Sequence, residues 1–125
     1  VEVNKTVKML RDGLLYKLHI AISDPIMVPA GEERYHFVQL PFSKMNIQSL
    51  EVNCNKQTRF AVEFFEDTTL TDSQYNSGEV SGRLLDVLSY SYVDKEETDK
   101  LHLLIRNLDV VDATYTVEVR GFQLK

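Results

Sequence analysis

Apolar and polar side chains alternate along most of this chain, and the alternation limits its fold more than any other feature. Apolar residues occupy every second position in several segments, among them Phe60, Val62 and Phe64 and later Tyr115, Val117 and Val119. A period of two places such side chains on one face of a β-strand, and no long segment has the period of a helix. Turn residues separate the segments at intervals of about 10–20 residues. The sequence therefore predicts an all-β fold, a two-sheet antiparallel sandwich of roughly eight strands that is jelly-roll-like or immunoglobulin-like.

Turn residues also predict which strands pair. Asp12-Gly13 tolerates the positive φ angles of a type I′ turn, which predicts a hairpin from Val3 to Ile22. We expect a second hairpin between the strands 47–54 and 59–64, and a third between the two strands that flank the turn beginning at Asn107. The residues of the second hairpin expected to face the core are Leu50, Val52, Phe60, Val62 and Phe64.

The stretch from Glu66 to Gly82 has no regular apolar pattern and is rich in Thr, Asp, Ser and Asn. Irregular loops of this length, roughly 15 residues, are often functional or mobile. The segment after it suits either a helical turn or a strand, and we expect a strand that begins near Leu88 and continues through Val93.

The composition indicates one globular domain with an acidic surface. The chain has 125 residues and a net charge of −5 at pH 7, and no linker or repeat divides it, so we expect a single sandwich domain, 1–125. A nucleic-acid-binding domain normally carries a basic stripe, and an acidic surface does not favour anionic membranes, so we expect neither partner. The apolar runs are too short to cross a bilayer, and no signal peptide is visible in the segment 1–5.

Motifs of the common enzyme classes do not occur in the sequence. The glycines are scattered and form neither a phosphate-binding loop nor a G-x-S-x-G elbow. The single cysteine, Cys54, excludes an intrachain disulfide, and it lies in the apolar phase of a strand. We therefore expect Cys54 to be a small buried hydrophobe rather than a nucleophile, and we expect no catalytic residue and no cofactor.

Histidines and loop carboxylates are the candidate metal ligands. The three histidines, His19, His36 and His102, lie far apart in strand-like segments, which favours solvent-facing or edge positions over a His₃ zinc site. Carboxylates concentrate in three loops: Glu66, Asp67 and Asp72; Asp94, Glu96, Glu97 and Asp99; and Asp109 and Asp112. Such loops could supply a calcium site or the carboxylate pair of a glycosidase. The lysines beside the second loop favour a solvated turn, so we expect no metal site.

Tyrosines are the candidate contact residues for a partner. Sugar-binding modules present flat aromatic side chains, and Tyr75, Tyr90 and Tyr92 lie outside the clear core pattern. These three are the predicted partner or glycan contacts. The alternative for Tyr90 and Tyr92 is a core or rim position, because both lie on one face of a strand and would pack together.

Three segments, Phe60–Asp67, Leu101–Asn107 and Tyr115–Val119, resemble small β-sandwich domains of tailed-phage virion proteins, including capsid decoration and tail accessory proteins. The resemblance implies binding to the surface of a multimeric particle without catalysis. It predicts a structural or assembly protein of a viral (phage) particle, located in the virion and in the host cytoplasm during assembly. The implied partners are further copies of the chain or capsid and tail proteins. A carbohydrate-binding or adhesion module is the alternative, so a glycan partner stays open.

Overall fold

The computed structural model describes residues 17–124, which form strands and loops without a helix. The strands are β1 (His19–Ile22), β2 (Ile26–Val28), β3 (Glu33–Gln39), β4 (Lys44–Cys54), β5 (Arg59–Phe65), β6 (Ser73–Asn76), β7 (Val80–Ser81), β8 (Arg83–Val93), β9 (Lys100–Asn107) and β10 (Ala113–Gln123). The predicted all-β class is confirmed. Most of the predicted hairpin from Val3 to Ile22 lies outside the described residues. Within them, no helix is long and apolar enough to cross a membrane.

The strands form two antiparallel sheets that pack face to face. The first sheet has the order β1-β10-β4-β8, with β2 beside β10, and the second has the order β3-β9-β5-β6, with β7 beside β5. Pairing is nested, because β1 pairs with β10, β3 with β9, β4 with β8 and β5 with β6. A long antiparallel ribbon that is folded over in this way is a jelly roll. The structure is therefore a jelly roll, one of the two predicted forms of the sandwich, and the immunoglobulin-like alternative is wrong.

Two of the predicted hairpins are wrong. β4 and β5 belong to different sheets, and so do β9 and β10, so the loops 55–58 and 108–112 cross from one sheet to the other. Alternation identifies which face of a strand points inward, but it does not identify which sheet the strand joins. The predicted core side chains are nevertheless confirmed: Leu50, Val52, Phe60, Val62 and Phe64 are each 0% exposed.

The region from Glu66 to Val93 is more regular than the sequence predicts. The stretch 66–82 contains the short strands β6 and β7, which pair with β5. β8 begins at Arg83 rather than near Leu88, because it pairs with β4 along its whole length, from Asn53 opposite Arg83 to Lys44 opposite Val93. Tertiary pairing extends this strand beyond the segment that its own residues favour.

Candidate functional site

The predicted contact residues Tyr75, Tyr90 and Tyr92 surround the core residue Phe64. Their ring centroids lie 5.0, 5.3 and 5.9 Å from that of Phe64, with Tyr75 nearly parallel to it and the other two edge-on. Stacked and edge-to-face arrangements of this kind are favourable between aromatic rings. The structure thus brings the three tyrosines together, but around a core side chain rather than on an open platform.

Tyr92 is a core residue. Its side chain is 0% exposed, and its hydroxyl lies 2.7 Å from the carbonyl oxygen of Phe65 and 2.8 Å from that of Lys100. The same hydroxyl oxygen accepts the backbone N–H of His102 at 3.3 Å. The prediction that Tyr92 contacts a partner is wrong because no part of its side chain reaches the surface.

Tyr75 and Tyr90 are half-buried at the edge of the core. The hydroxyl of Tyr75 donates to Asp86 at 2.5 Å, and that of Tyr90 donates to Gln74 at 2.6 Å. Burial, together with the Asp86 carboxylate, raises the pKa of Tyr75, so this hydroxyl remains a donor. Both side chains have a rim position in the sandwich, and their contact with a partner stays a prediction.

Asp94 organises the loop between β8 and β9. Its buried carboxylate accepts the backbone N–H groups of Glu96, Thr98 and Lys100, each at 3.0 Å, and the hydroxyl of Thr98 at 2.7 Å. Asp side chains commonly bond the backbone donors of the turn that follows them. Burial by itself raises the pKa of Asp94, but these bonds and one from His102 lower it to about 2. Asp94 is therefore an anion at neutral pH and fixes the loop.

His102 lies on the outer face of the second sheet and is nevertheless fully buried. Phe37 and Phe65 flank it in the strand register. The loops 66–72 and 94–99 join beside it, because Glu96 accepts the backbone N–H and the hydroxyl of Thr68 at 3.0 and 2.6 Å. The expectation of a solvent-facing or edge position is wrong for His102, since these two loops cover a face that alternation assigns to solvent.

Both ring nitrogens of His102 are hydrogen-bonded. Nε2 lies 2.9 Å from Oδ1 of Asp94, and Nδ1 lies 2.8 Å from the hydroxyl of Tyr35. An ionised carboxylate only accepts, so Nε2–H donates to Asp94; in the neutral imidazole, Nδ1 then accepts the proton of Tyr35. Burial, followed by the charges of Glu96 and Asp94, raises the pKa of Tyr35, so the phenol keeps the proton that it donates. The network holds the loop and presents no free ring nitrogen to a substrate.

The other two histidines lie on strands that form sheet edges within residues 17–124, as expected. His19 is half-buried, and its ring meets that of Phe42 edge-on at 5.1 Å. His36 places Nε2 2.6 Å from the carbonyl oxygen of Asp24. The three histidines therefore have three separate sets of partners.

Asp94, Glu96 and His102 form the one group within residues 17–124 whose side chains could hold a metal ion. Their ligand atoms all lie within 4.8 Å of one another, with Nε2 of His102 3.9 Å from Glu96. A metal would have to displace the hydrogen bond between His102 and Asp94, because these atoms are already paired. Sequence reasoning missed this group because its members come from a loop and from a strand. The available signal was an Asp placed directly after a long apolar strand.

Carboxylates in the other two acidic loops also bond to backbone. Asp67 accepts the N–H of Thr69 at 3.2 Å, Asp109 accepts that of Arg59 at 3.1 Å, and Asp112 accepts that of Ala30 at 2.9 Å. Asp67 thus stabilises its own turn, whereas Asp109 and Asp112 tie the loop 108–112 to other segments of the chain. In the described part of the chain these groups do not converge on one point, as a calcium site would require.

A cleft of about 710 Å³ opens at the same end of the sandwich as the Asp94 loop. It lies between the segments 41–44 and 93–99 and the last residues of β10. Its charged side chains are mixed, with Lys44 and Lys95 beside Glu97 and Asp99. The cleft therefore lacks the single sign of charge that would select an anionic or a cationic ligand.

Exposed apolar side chains concentrate on the outer face of the first sheet, along its two margins. On the β1 and β2 margin, Ile20, Ile22 and Met27 are 54, 62 and 52% exposed; on the β8 margin, Leu85 and Val87 are 57 and 83% exposed. The outer face of the second sheet is different in character, because Arg106 forms ion pairs there with Glu33 and Glu63 at 2.9 and 3.6 Å. Clustered exposed apolar residues mark interaction surfaces more often than charged faces do.

No protein-family model matches this chain, and no curated protein matches it in sequence. Among solved structures, the cyanophage Pam1 capsid is similar over 90% of this chain and 89% of its own, with 10% identity and a TM-score of 0.50. A cupin domain from Bordetella pertussis covers 85% of this chain and 92% of its own, at 14% identity and a TM-score of 0.33. The 60-mer BFDV capsid protein covers 87 and 95%, at 6% identity and a TM-score of 0.32. The resemblance is thus one of fold, to the Pam1 capsid chain.

Proposed function

We propose that this protein is a non-enzymatic structural or assembly protein, an accessory component of a viral (phage) particle that acts through protein–protein contacts. One observation carries the proposal: five large apolar side chains, Ile20, Ile22, Met27, Leu85 and Val87, are each more than half exposed on the outer face of the first sheet. A subunit that packs against neighbours buries such a face, and exposed apolar clusters mark protein–protein contacts.

Two further features support the proposal. The fold is similar to that of a chain of the cyanophage Pam1 capsid. The buried pair of Asp94 and His102 has both imidazole nitrogens occupied, so the described residues offer no ready general base there. The partners are then further copies of the chain or capsid and tail proteins, and the location is the virion.

The test is the composition of the particle. Particles are purified from cultures of the host that carries the native gene, and quantitative mass spectrometry compares this chain with the major capsid protein. We expect a fixed ratio between the two across the density gradient, and a deletion of the gene should leave particles that lack the chain. A chain found only in the fractions without particles would refute the proposal.

A glycan-binding role is the second candidate, supported by the half-buried Tyr75 and Tyr90. Both hydroxyls have protein partners and both rings contact Phe64, so little aromatic surface remains for stacking on a sugar. A glycan array with the wild type and with Tyr75→Ala and Tyr90→Ala decides the matter. Binding that both substitutions abolish in folded protein would favour a glycan partner, and an array without signal removes it.

A further inference from the structure

The outer face of the first sheet has a charge pattern that matches itself. In the strand register, one row across the sheet contains Ile22, Glu118, Glu51 and Leu85, and the adjacent row contains Ile20, Arg120, Ser49 and Val87. Each row thus begins and ends with an apolar side chain. The central charges are acidic in one row and basic in the other.

The acidic row places two carboxylates at its centre. Glu118 and Glu51 lie directly opposite each other on neighbouring strands, and like charges in that position are destabilising. Within the chain, Arg83 approaches Glu51 at 2.6 Å and Arg120 approaches Glu118 at 3.2 Å, so each carboxylate has one cation beside it. Arg120 remains 46% exposed, so its guanidinium can also contact a carboxylate of a second copy, which adds an ion pair across the contact.

The geometry points to a second copy of this chain as the partner of this face, packed sheet against sheet about a two-fold axis perpendicular to the strands. This inference deepens the proposed function and rests on it. Such an axis exchanges the two rows, so Arg120 of each copy faces Glu118 of the other. Ile20 meets Ile22, and Leu85 meets Val87, across the same axis. An isologous contact of this kind satisfies both copies equally.

The alternative two-fold, with its axis along the strands, is disfavoured by the same register. It would place Glu118 of one copy over Glu51 of the other and would stack acidic groups in the middle of the contact. Charge therefore selects the antiparallel arrangement, in which sheets packed face to face lie about 10 Å apart.

The face is also large enough. Three strands of 11 residues together with the short β1 and β2, at about 4.8 Å by 3.3 Å per residue, give roughly 600 Å² per copy. Standard interfaces bury about 600–1,000 Å² per partner. The apolar margins supply the desolvated part of the contact and the central charges supply its register.

The test is sedimentation velocity of the full chain over a range of concentrations. Wild type should form dimers. Arg120→Glu and Glu118→Arg should each weaken self-association by about tenfold or more, because each puts like charges face to face across the axis. An equimolar mixture of the two variants should regain the dimer, since each copy then offers the charge that the other needs. Circular dichroism checks that both variants are folded.

Two matched controls separate this face from the rest of the surface. Arg34→Glu on the second sheet changes an arginine of similar exposure, 44%, that also has an acidic neighbour two residues away, and it should leave the dimer unchanged. Val87→Asp should weaken the dimer, whereas Val110→Asp, at a loop residue that is 85% exposed, should not.

A wild type that stays monomeric at every concentration overturns the inference, and so does a dimer that survives both charge reversals. A mixture that remains monomeric overturns the antiparallel register. None of these results affects the particle-composition experiment that tests the proposed function. A chain that is monomeric in solution yet present in particles would support the proposed function and refute the dimer contact.

Discussion

Replacing Asp94 by Asn should remove a large part of the stability of this protein. The carboxylate is fully buried and accepts five hydrogen bonds: three from backbone N–H groups, one from the Thr98 hydroxyl and one from His102. An Asn amide can accept on one side only, and on the other side its NH₂ meets donors. Breaking one partner of a buried charged network typically costs about 3–5 kcal/mol, against a total stability of about 5–15 kcal/mol.

The pH dependence gives a second, independent magnitude. The pKa of Asp94 falls from 3.8 to about 2 in the folded protein. At about 1.4 kcal/mol per unit, the ionised carboxylate contributes about 2–3 kcal/mol of stability. Because the folded pKa is the lower one, this contribution is fully present above about pH 5 and is lost as the pH falls through 2. The Asn variant has no such carboxyl group, so its stability should lack this part of the acid dependence.

The assay is urea unfolding followed by far-ultraviolet circular dichroism, since the chain contains no Trp. Wild type and variant are compared near pH 7, 4 and 2 at one protein concentration, low enough that the chain is monomeric, so that self-association does not contribute. The gap in unfolding free energy should be about 3–5 kcal/mol near pH 7 and should shrink by about 2 kcal/mol between pH 7 and 2. Glu97→Gln, at an exposed position of the same loop, should stay within about 0.5 kcal/mol of wild type. A gap that does not change with pH would refute the role assigned to Asp94.

Three further substitutions test the packing of this end of the sandwich and the bulge in β4 opposite Gly121. His102→Phe should lower the unfolding free energy by about 2–3 kcal/mol, because the buried carboxylate of Asp94 and the hydroxyl of Tyr35 each lose a hydrogen bond; an unchanged urea midpoint would contradict the network. Tyr92→Phe should lower it by about 1–3 kcal/mol, since the one O–H shared by the carbonyl oxygens of Phe65 and Lys100 is lost, while Tyr90→Phe at the rim should change it less; equal losses would show that burial is not the cause. Gly121→Ala should lower the melting temperature strongly, because its Cβ would collide with the carbonyl oxygen of Asn46 beside the bulge in β4; a variant as stable as wild type would mean that the two strands separate there without loss.

Alternation was sufficient to predict the class and the core, but not the connections between strands. Phe60, Val62 and Phe64 point inward in either arrangement of β5, because its core face is the same whether it pairs with β4 or with β9. Hairpin prediction rests on short loops, and the loop 55–58 is as short as a hairpin loop although it crosses between the sheets. The choice of sheet depends on contacts distant in sequence, such as those between β1 and β10, which no local pattern contains.

The buried network around His102 was not predictable for a related reason. His102 occupies a position that alternation assigns to the outer face, and that assignment is geometrically correct. His102 is buried because two loops cover that face. The loops are held there by the hydrogen bonds of Asp94 within its own loop and by the bond between Glu96 and Thr68. By composition alone, acidic residues beside lysines indicate a solvated turn. Lys95 is indeed exposed, as that interpretation predicts. Asp94 differs from the other acids of the loop because it comes directly after β8, where its buried carboxylate can accept N–H groups of the turn. An acid at the end of a long apolar strand is therefore better evidence for a fixed loop than the number of acids within it.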